Sequence, residues 1–279
     1  MSFIFRLFIM LILSAVLTLN SVHSVQAEGT AENGVTAHRG NSGEYPENTL
    51  AAFESAILLG ADWIELDVLR TKDGYVVVNH DSSTKNVSGV DLHIGNSTLE
   101  ELQKLDMAAG FRKSNKLTET TCPPCRILLL EDAIRLILKY KKAKVSIQPK
   151  NKCVDESIEI IRKLDAVSWV GFNDGNLQYM MRVKELEPTI PVFWDKLNFN
   201  PDDIETAKKY GFETLVIYCE QLTPEQVKLV KTSGLKIGVW TVNHPALMKK
   251  FLQWGIDRIY TDIPRLLISL KTEKSISFE

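Results

Sequence analysis

Trp63-Ile64-Glu65-Leu66-Asp67-Val68-Leu69-Arg70-Thr71-Lys72-Asp73-Gly74-Tyr75-Val76-Val77-Val78-Asn79-His80-Asp81 is two β-rich runs joined by an Asp-Gly pair. Asp-Gly between such runs is a strong hairpin signal. With Asp73-Gly74 as a two-residue loop, Arg70 to Lys72 pair with residues from Tyr75 on, and Asp67 stands opposite His80. Successive strand side chains alternate, so Glu65 and Asp67 share one face while Ile64, Leu66 and Val68 take the other. If the apolar face meets helices, the acidic face looks into the interior of a sheet closed on itself. Unpaired carboxylates are costly there, and a cation would remove that cost.

Outward from this hairpin, β-rich runs alternate with amphipathic segments. Strands are expected at Val35–Ala37, Trp63–Val68, Lys144–Ile147, Ser168–Phe172, Ile190–Phe193, Thr214–Tyr218, Lys236–Thr241 and Arg258–Thr261. Helices are expected at Thr49–Leu59, Glu131–Tyr140, Asp155–Leu164, Asn176–Leu186, Asp202–Tyr210, Thr223–Ser233 and Pro245–Trp254. Start signals precede several of these: Pro201-Asp202, Thr223-Pro224, and His244-Pro245 after Asn243. Eight alternating units in this length predict an α/β fold, a distorted (β/α)8 TIM barrel. A doubly wound open sheet is the alternative, and no Gly-rich dinucleotide fingerprint supports it. Residues 81–130 carry no barrel strand and read as a small insertion on the catalytic face after the second-strand hairpin.

The chain has 279 residues with a net charge of −2, so no basic field invites nucleic acid. Its first residues form a separate object. Arg6 precedes an apolar run from Leu7 to Leu19, and Val25-Gln26-Ala27 follows as a small-x-small pattern. That predicts a signal peptide over 1–27, cleaved after Ala27, rather than a membrane anchor, and places the protein as secreted or periplasmic. Residues 28–279 then form a single domain with no stable membrane span. Export permits disulfides, so pairing among Cys122, Cys125, Cys153 and Cys219 is expected over a zinc site at Cys122-Pro123-Pro124-Cys125, which lacks a second ligand pair. Asn86-Val87-Ser88 and Asn96-Ser97-Thr98 match the glycosylation pattern.

Barrel enzymes gather reactive side chains at the C-terminal ends of strands. His38-Arg39-Gly40 follows the first expected strand, Glu65 and Asp67 lie on the second, His80 ends the hairpin, Gln148 and Lys150 follow the third, and Trp240 ends a late one. Glu65, Asp67 and the Gln148 carbonyl are oxygen donors suited to Ca²⁺ or Mg²⁺. Such an ion clamps a phosphate oxygen, with Arg39 and Lys150 supplying positive charge for the others. Two histidines allow one proton to be removed and another delivered. Phosphodiester chemistry fits this set.

The run Ala37-His38-Arg39-Gly40, Pro46-Glu47-Asn48-Thr49, Glu65-Leu66-Asp67-Val68, Thr71-Lys72-Asp73-Gly74 and His80-Asp81 resembles the glycerophosphodiester phosphodiesterase family in order and spacing. Val239-Trp240-Thr241-Val242-Asn243 and Thr261-Asp262-Ile263-Pro264 look like its closing segments, so the likeness spans roughly residues 34 to 270. The resemblance implies a distorted barrel, a divalent cation, and a small-molecule glycerophosphodiester substrate converted to glycerol 3-phosphate and an alcohol. It further implies His38 and His80 as the acid–base pair, Arg39 on phosphate, Glu65 and Asp67 on metal, and Lys150 as a phosphate-side lysine. By the same likeness the substrate's own glycerol hydroxyl attacks, and water opens the cyclic phosphate.

Two departures stand out. Ile147-Gln148-Pro149-Lys150 replaces an Ile-Glu-Ile-Lys pattern and removes one charge from the metal set. Leu128-Leu129-Leu130-Glu131-Asp132 keeps only the acidic end of a Pro-Thr-Leu-Glu-Glu stretch. Competing readings are a lipase-like phosphodiesterase that releases a cyclic phosphate from phospholipids or lysolipids, and a phosphate-ligand binding protein without catalysis. Phe193, Trp194 and Trp240 are candidate pocket aromatics.

Overall fold

The computed structural model describes residues 34–276, so the leader expected over residues 1–27 lies outside the described residues. Ten strands follow in chain order: β1 (Gly34–Ala37), β2 (Trp63–Arg70), β3 (Val76–Val78), β4 (Leu128–Leu129), β5 (Lys144–Pro149), β6 (Val170–Asp174), β7 (Val192–Lys196), β8 (Thr214–Tyr218), β9 (Lys236–Trp240) and β10 (Arg258–Thr261). Eight of them run parallel in the order β1-β10-β9-β8-β7-β6-β5-β2, and pairing of β1 with β2 closes the barrel. The expected barrel is therefore present, and the open-sheet alternative is excluded.

The distortion has a local cause. β1 pairs with β2 only through Thr36 with Trp63 and Ala37 with Ile64. Beyond that point β2 continues for six residues, and its far end pairs antiparallel with β3, which pairs in turn with β4. The mouth is thus splayed between β1 and β2, and the hairpin fills the gap.

The hairpin register differs by one residue from the sequence expectation. Val68 faces Val78 and Arg70 faces Val76, which sets Asp67 opposite Asn79 instead of His80. Asn79 N–H donates to the Asp67 carbonyl at 3.0 Å. The loop holds three residues, Lys72 to Gly74, because Thr71 N–H bonds the Tyr75 carbonyl at 2.8 Å and Gly74 takes a left-handed φ of 91°. That is the second common hairpin solution, a turn followed by one left-handed residue. The chain leaves the strand after Val78, so His80 is not bound by the strand's alternation.

Alternation along β2 is otherwise as expected. Ile64, Leu66 and Val68 join the large core between barrel and helices. Trp63 points inward with Phe193, Val216 and Tyr260, and half-buried Trp240 packs on them. The Arg258 guanidinium lies 3.6 Å from the Phe193 ring centre and 4.1 Å from that of Trp63. This layer closes the base of the barrel. Trp194 instead packs outward against Phe212 and does not line the interior.

Helices start where sequence signals place them. Thr49, Asn176 and Thr223 each accept a backbone N–H with their side chain just before the helices Leu50–Leu59, Leu177–Leu186 and Pro224–Thr232. His244 caps Pro245–Gln253 through its Nδ1. The insertion between Asp81 and Leu130 carries short helices at Lys85–Ser88, Leu99–Leu102 and Ala109–Asn115. They cover a small separate core of Leu69, Val77, Ile94, Leu102, Met107 and Ile127.

All four cysteines are free thiols, contrary to the disulfide expectation. The Cys122–Cys125 loop is held differently: Asp106 accepts the Cys125 N–H at 3.1 Å, and Arg112, ion-paired with Asp106, donates to the Cys122 carbonyl at 3.2 Å. Cys153 is buried in the main core, where desolvation pushes its thiol well up, to about 12. No helix among the described residues is long and apolar enough to cross a membrane.

Candidate active site

His38 follows β1 directly, and its backbone N–H bonds the Thr261 carbonyl of β10 at 2.9 Å. The next two residues are left-handed, Arg39 at φ 55° and Gly40 at φ 84°. A Cβ on Gly40 would lie 2.7 Å from the Ala52 carbonyl carbon, so only glycine fits between this turn and the helix Leu50–Leu59. The turn aims the Arg39 N–H at the Glu65 carboxylate, 3.0 Å away. Strain of this kind is characteristic of sites where side-chain placement matters more than local energy.

Each histidine is fixed by a carboxylate on Nδ1. Asp262 Oδ1 lies 2.6 Å from His38 Nδ1, and Asp81 Oδ1 lies 2.7 Å from His80 Nδ1. Both carboxylates are themselves held: Asp262 by Ser42 at 3.1 Å and by Asn243, Asp81 by Asn86 at 2.7 Å. The carboxylate accepts a hydrogen bond from Nδ1–H, which leaves Nε2 of each neutral ring as the free lone pair. His38 Nε2 is 4.0 Å from Glu65. Burial works to lower the His38 pKa, but the Asp262 hydrogen bond and the Glu65 charge more than reverse it, leaving the value raised.

Glu65 and Asp67 are fully buried on the inner face of β2. Asp67 meets Arg39 Nε at 3.3 Å, Lys150 Nζ at 3.1 Å and the Asn48 amide at 2.9 Å. Burial opposes its charge, yet Lys150 and Arg39 together hold its pKa below the usual range. Glu65 behaves oppositely: burial, then the neighbouring Asp67 charge, push it up to about 7. Arg39 Nη1 also donates to both Glu47 oxygens at 3.1 Å.

β5 brings Gln148 beside Asp67 in register. Lys150 donates to Gln148 Oε1, and Gln148 Nε2 donates to Asp195 Oδ2 at 3.1 Å. Asn173 Nδ2 donates to the same Asp195 oxygen at 3.1 Å. Burial pushes Asp195 up to about 8. Its Oδ2 accepts both N–H donors, while Oδ1 is buried without a partner.

Of the residues picked from sequence, His38, Arg39, Glu65, Asp67, Gln148 and Lys150 form one contact network. His80 makes no direct contact in that network but lies close enough to act electrostatically on Asp67. Trp240 stands at the end of β9, its ring centre 5.5 Å from that of Tyr218, and its buried Nε1 has no hydrogen-bond partner. Phe193 lies lower, in the aromatic base. Glu131 is elsewhere, in ion pairs with Arg135 and Lys163. Asp262, Asp81, Asn48, Glu47 and Asp195 were not assigned roles from sequence. Asp262 was findable, since it follows the strand that closes on β1.

Glu65, Asp67, Asp174 and Asp195 form one electrostatically linked set with the cations Arg39 and Lys150, and Asp195 also feels Arg258. Asp67 Oδ1 receives no hydrogen bond, only the Lys150 charge. This surplus of buried oxygen donors fits a hard divalent cation at Glu65 and Asp67, with the Gln148 oxygen beside them. Among the described residues no three His, Cys, Asp or Glu side chains converge as a metal cluster, so Cys122 and Cys125 lack the partners zinc requires.

Comparison with known proteins agrees with this geometry. Residues 38–266 match the glycerophosphoryl diester phosphodiesterase family. The chain belongs to that family. This family member is 33% identical over 245 residues to a glycerophosphodiester phosphodiesterase of Caldanaerobacter subterraneus, covering 85% of this chain and 96% of the relative. It is a phosphodiesterase enzyme, which sets aside the reading of a binding protein without catalysis. Its barrel resembles that of an Oleispira antarctica phosphodiesterase solved with the product sn-glycerol-3-phosphate, at TM-score 0.76 and 26% identity over 86% of this chain and 96% of that one. A lysophospholipase D of Rattus norvegicus is 27% identical over 269 residues, covering 83% of each chain.

Proposed function

We propose that this phosphodiesterase hydrolyses glycerophosphodiesters to glycerol 3-phosphate and an alcohol, with His38 and His80 as its acid–base pair and a divalent cation held by Glu65 and Asp67. The observation that carries this reading is the matched pair of histidines, each with Nδ1 tied to a carboxylate and Nε2 left for chemistry.

His38 Nε2 takes the proton of the glycerol 2-hydroxyl. The resulting oxygen attacks phosphorus, and the bond from phosphorus to the alcohol breaks. His80, protonated at Nε2, delivers the proton that the departing alkoxide needs. Water then opens the cyclic phosphate with the roles exchanged. Asp262 stabilises the imidazolium of His38 during the first transfer, as its 2.6 Å contact allows. Arg39 and Lys150 turn from Asp67 toward the phosphate oxygens when substrate enters. Bound at the acidic pair, the cation supplies Lewis-acid neutralisation of phosphate charge. Trp240, at the end of β9, holds a buried indole N–H without a partner, a donor for a ligand that reaches it.

The test is a panel of glycerophosphodiesters assayed with Ca²⁺, with Mg²⁺ and with chelator. Turnover that needs either ion and releases glycerol 3-phosphate is expected; full turnover in chelator contradicts the cation role. The rat lysophospholipase D relative favours a second substrate class, lysophospholipids. ³¹P NMR of products from glycerophosphocholine and from a lysolipid separates the two, and a persistent cyclic phosphate would mark the lipase-like route. The Arg6–Ala27 segment supports export, as a secreted or periplasmic enzyme.

A further inference from the structure

Resting on the cation reading above, we infer that Asp195 is a positioning residue that fixes which end of the Gln148 amide faces the active site. A glutamate at position 148 would present oxygen whichever way it turned. Glutamine presents oxygen at one end and N–H donors at the other, and the donor end would repel a cation or a phosphate-binding lysine. Something must therefore set the orientation.

The structure contains that device. Ser146 Oγ donates to Asn173 Oδ1 at 2.7 Å, which turns Asn173 Nδ2 toward Asp195. Asn173 and Gln148 then both donate to Asp195 Oδ2 at 3.1 Å. With Nε2 committed to Asp195, Gln148 Oε1 is left toward Lys150, which donates to it. Lys150 in turn lies 3.1 Å from Asp67, at the acidic pair. The relay runs Ser146, Asn173, Asp195, Gln148, Lys150, Asp67 across β5, β6, β7 and back to β2. What the geometry asks of position 195 is an oxygen that accepts two N–H donors, which asparagine also offers. Its oxygen would accept the same two donors.

Calorimetric titration of Ca²⁺ and Mg²⁺ into the purified chain tests this without reading activity. Asp195→Ala removes the acceptor and should weaken cation affinity about tenfold or more, as loss of an outer hydrogen-bond partner to a ligand does. Asp195→Asn should stay close to wild type. The double variant Gln148→Glu with Asp195→Ala should recover affinity, since a carboxylate needs no orientation. Should Asp195→Ala fail to fold, Asp195→Ser, too short to reach Gln148, carries the same expectation. Wild-type affinity in Asp195→Ala, while Glu65→Gln loses binding, would overturn the positioning role and leave the cation reading standing. Asp195→Asn as weak as Asp195→Ala would also overturn it, by showing that charge and not acceptance matters. Absence of cation binding by the wild-type chain would end both.

Discussion

Asp262 and Asp81 do for the two histidines what no ring can do alone: they choose the tautomer. His38 shows the consequence, because its raised pKa comes from Asp262 and Glu65 acting against burial. Asp262→Asn removes that carboxylate, so the His38 pKa should fall and the acidic limb of the pH–rate profile should move to lower pH. Turnover should drop by roughly 10²-fold or more, because the amide no longer stabilises the imidazolium. An unshifted limb would separate Asp262 from His38. His80→Ala should lose turnover by about 10²–10⁴-fold with its unfolding midpoint unchanged. The residues of this contact network were legible because their types are unusual on an inward strand face. Asp195 was missed for a simple reason: the sequence reading ends its strand at Phe193, whereas β7 runs on to Lys196. Those added residues carry Asp195 to the mouth, and nothing in an Asp-Lys pair after an apolar run marks it.

At the scale of elements, the turn after β1 and the hairpin after β2 position the chemistry. Gly40 sits in a left-handed conformation with no room for a Cβ against Ala52. Gly40→Ala should cost roughly 2 kcal/mol or more in denaturant unfolding, and should depress turnover by displacing His38 and Arg39. A variant of wild-type stability would show that the turn can relax. Strand and helix identity was legible from alternation and caps, since each strand is short, apolar and followed by a start signal. Register was not. Asp-Gly fits both a two-residue loop and a three-residue loop with a left-handed glycine, and the latter is chosen because Thr71 and Tyr75 close the turn. The cysteines misled for a similar reason: spacing says nothing of Asp106 and Arg112, whose ion pair holds that loop.

Over the whole molecule, the barrel buries more acid than base at its mouth. Burial pushes Glu65 up to about 7 and Asp195 up to about 8, against about 4 for carboxylates in an unfolded chain. Between those values the folded chain holds protons that the unfolded chain has released. Stability is therefore greatest on the acid side and falls as pH rises, and the raised His38 value acts in the same direction. In chelator, the melting temperature should be lower at pH 8 than at pH 5.5 by about 3 °C or more, and added Ca²⁺ or Mg²⁺ should narrow the gap. A flat profile would contradict a buried, undercompensated acidic pair. In the proposed chemistry the two imidazoles divide the proton work, and leaving-group chemistry tests that division most directly. Turnover of glycerophosphocholine should be compared with that of the p-nitrophenyl diester of glycerol phosphate, whose leaving group departs without a proton. His38→Ala is expected to lose both substrates, while His80→Ala loses choline release from glycerophosphocholine and keeps first-turnover nitrophenol release, which precedes opening of the cyclic phosphate. Equal loss of both substrates in His80→Ala, or near-normal glycerophosphocholine turnover by either variant, would contradict the assignment.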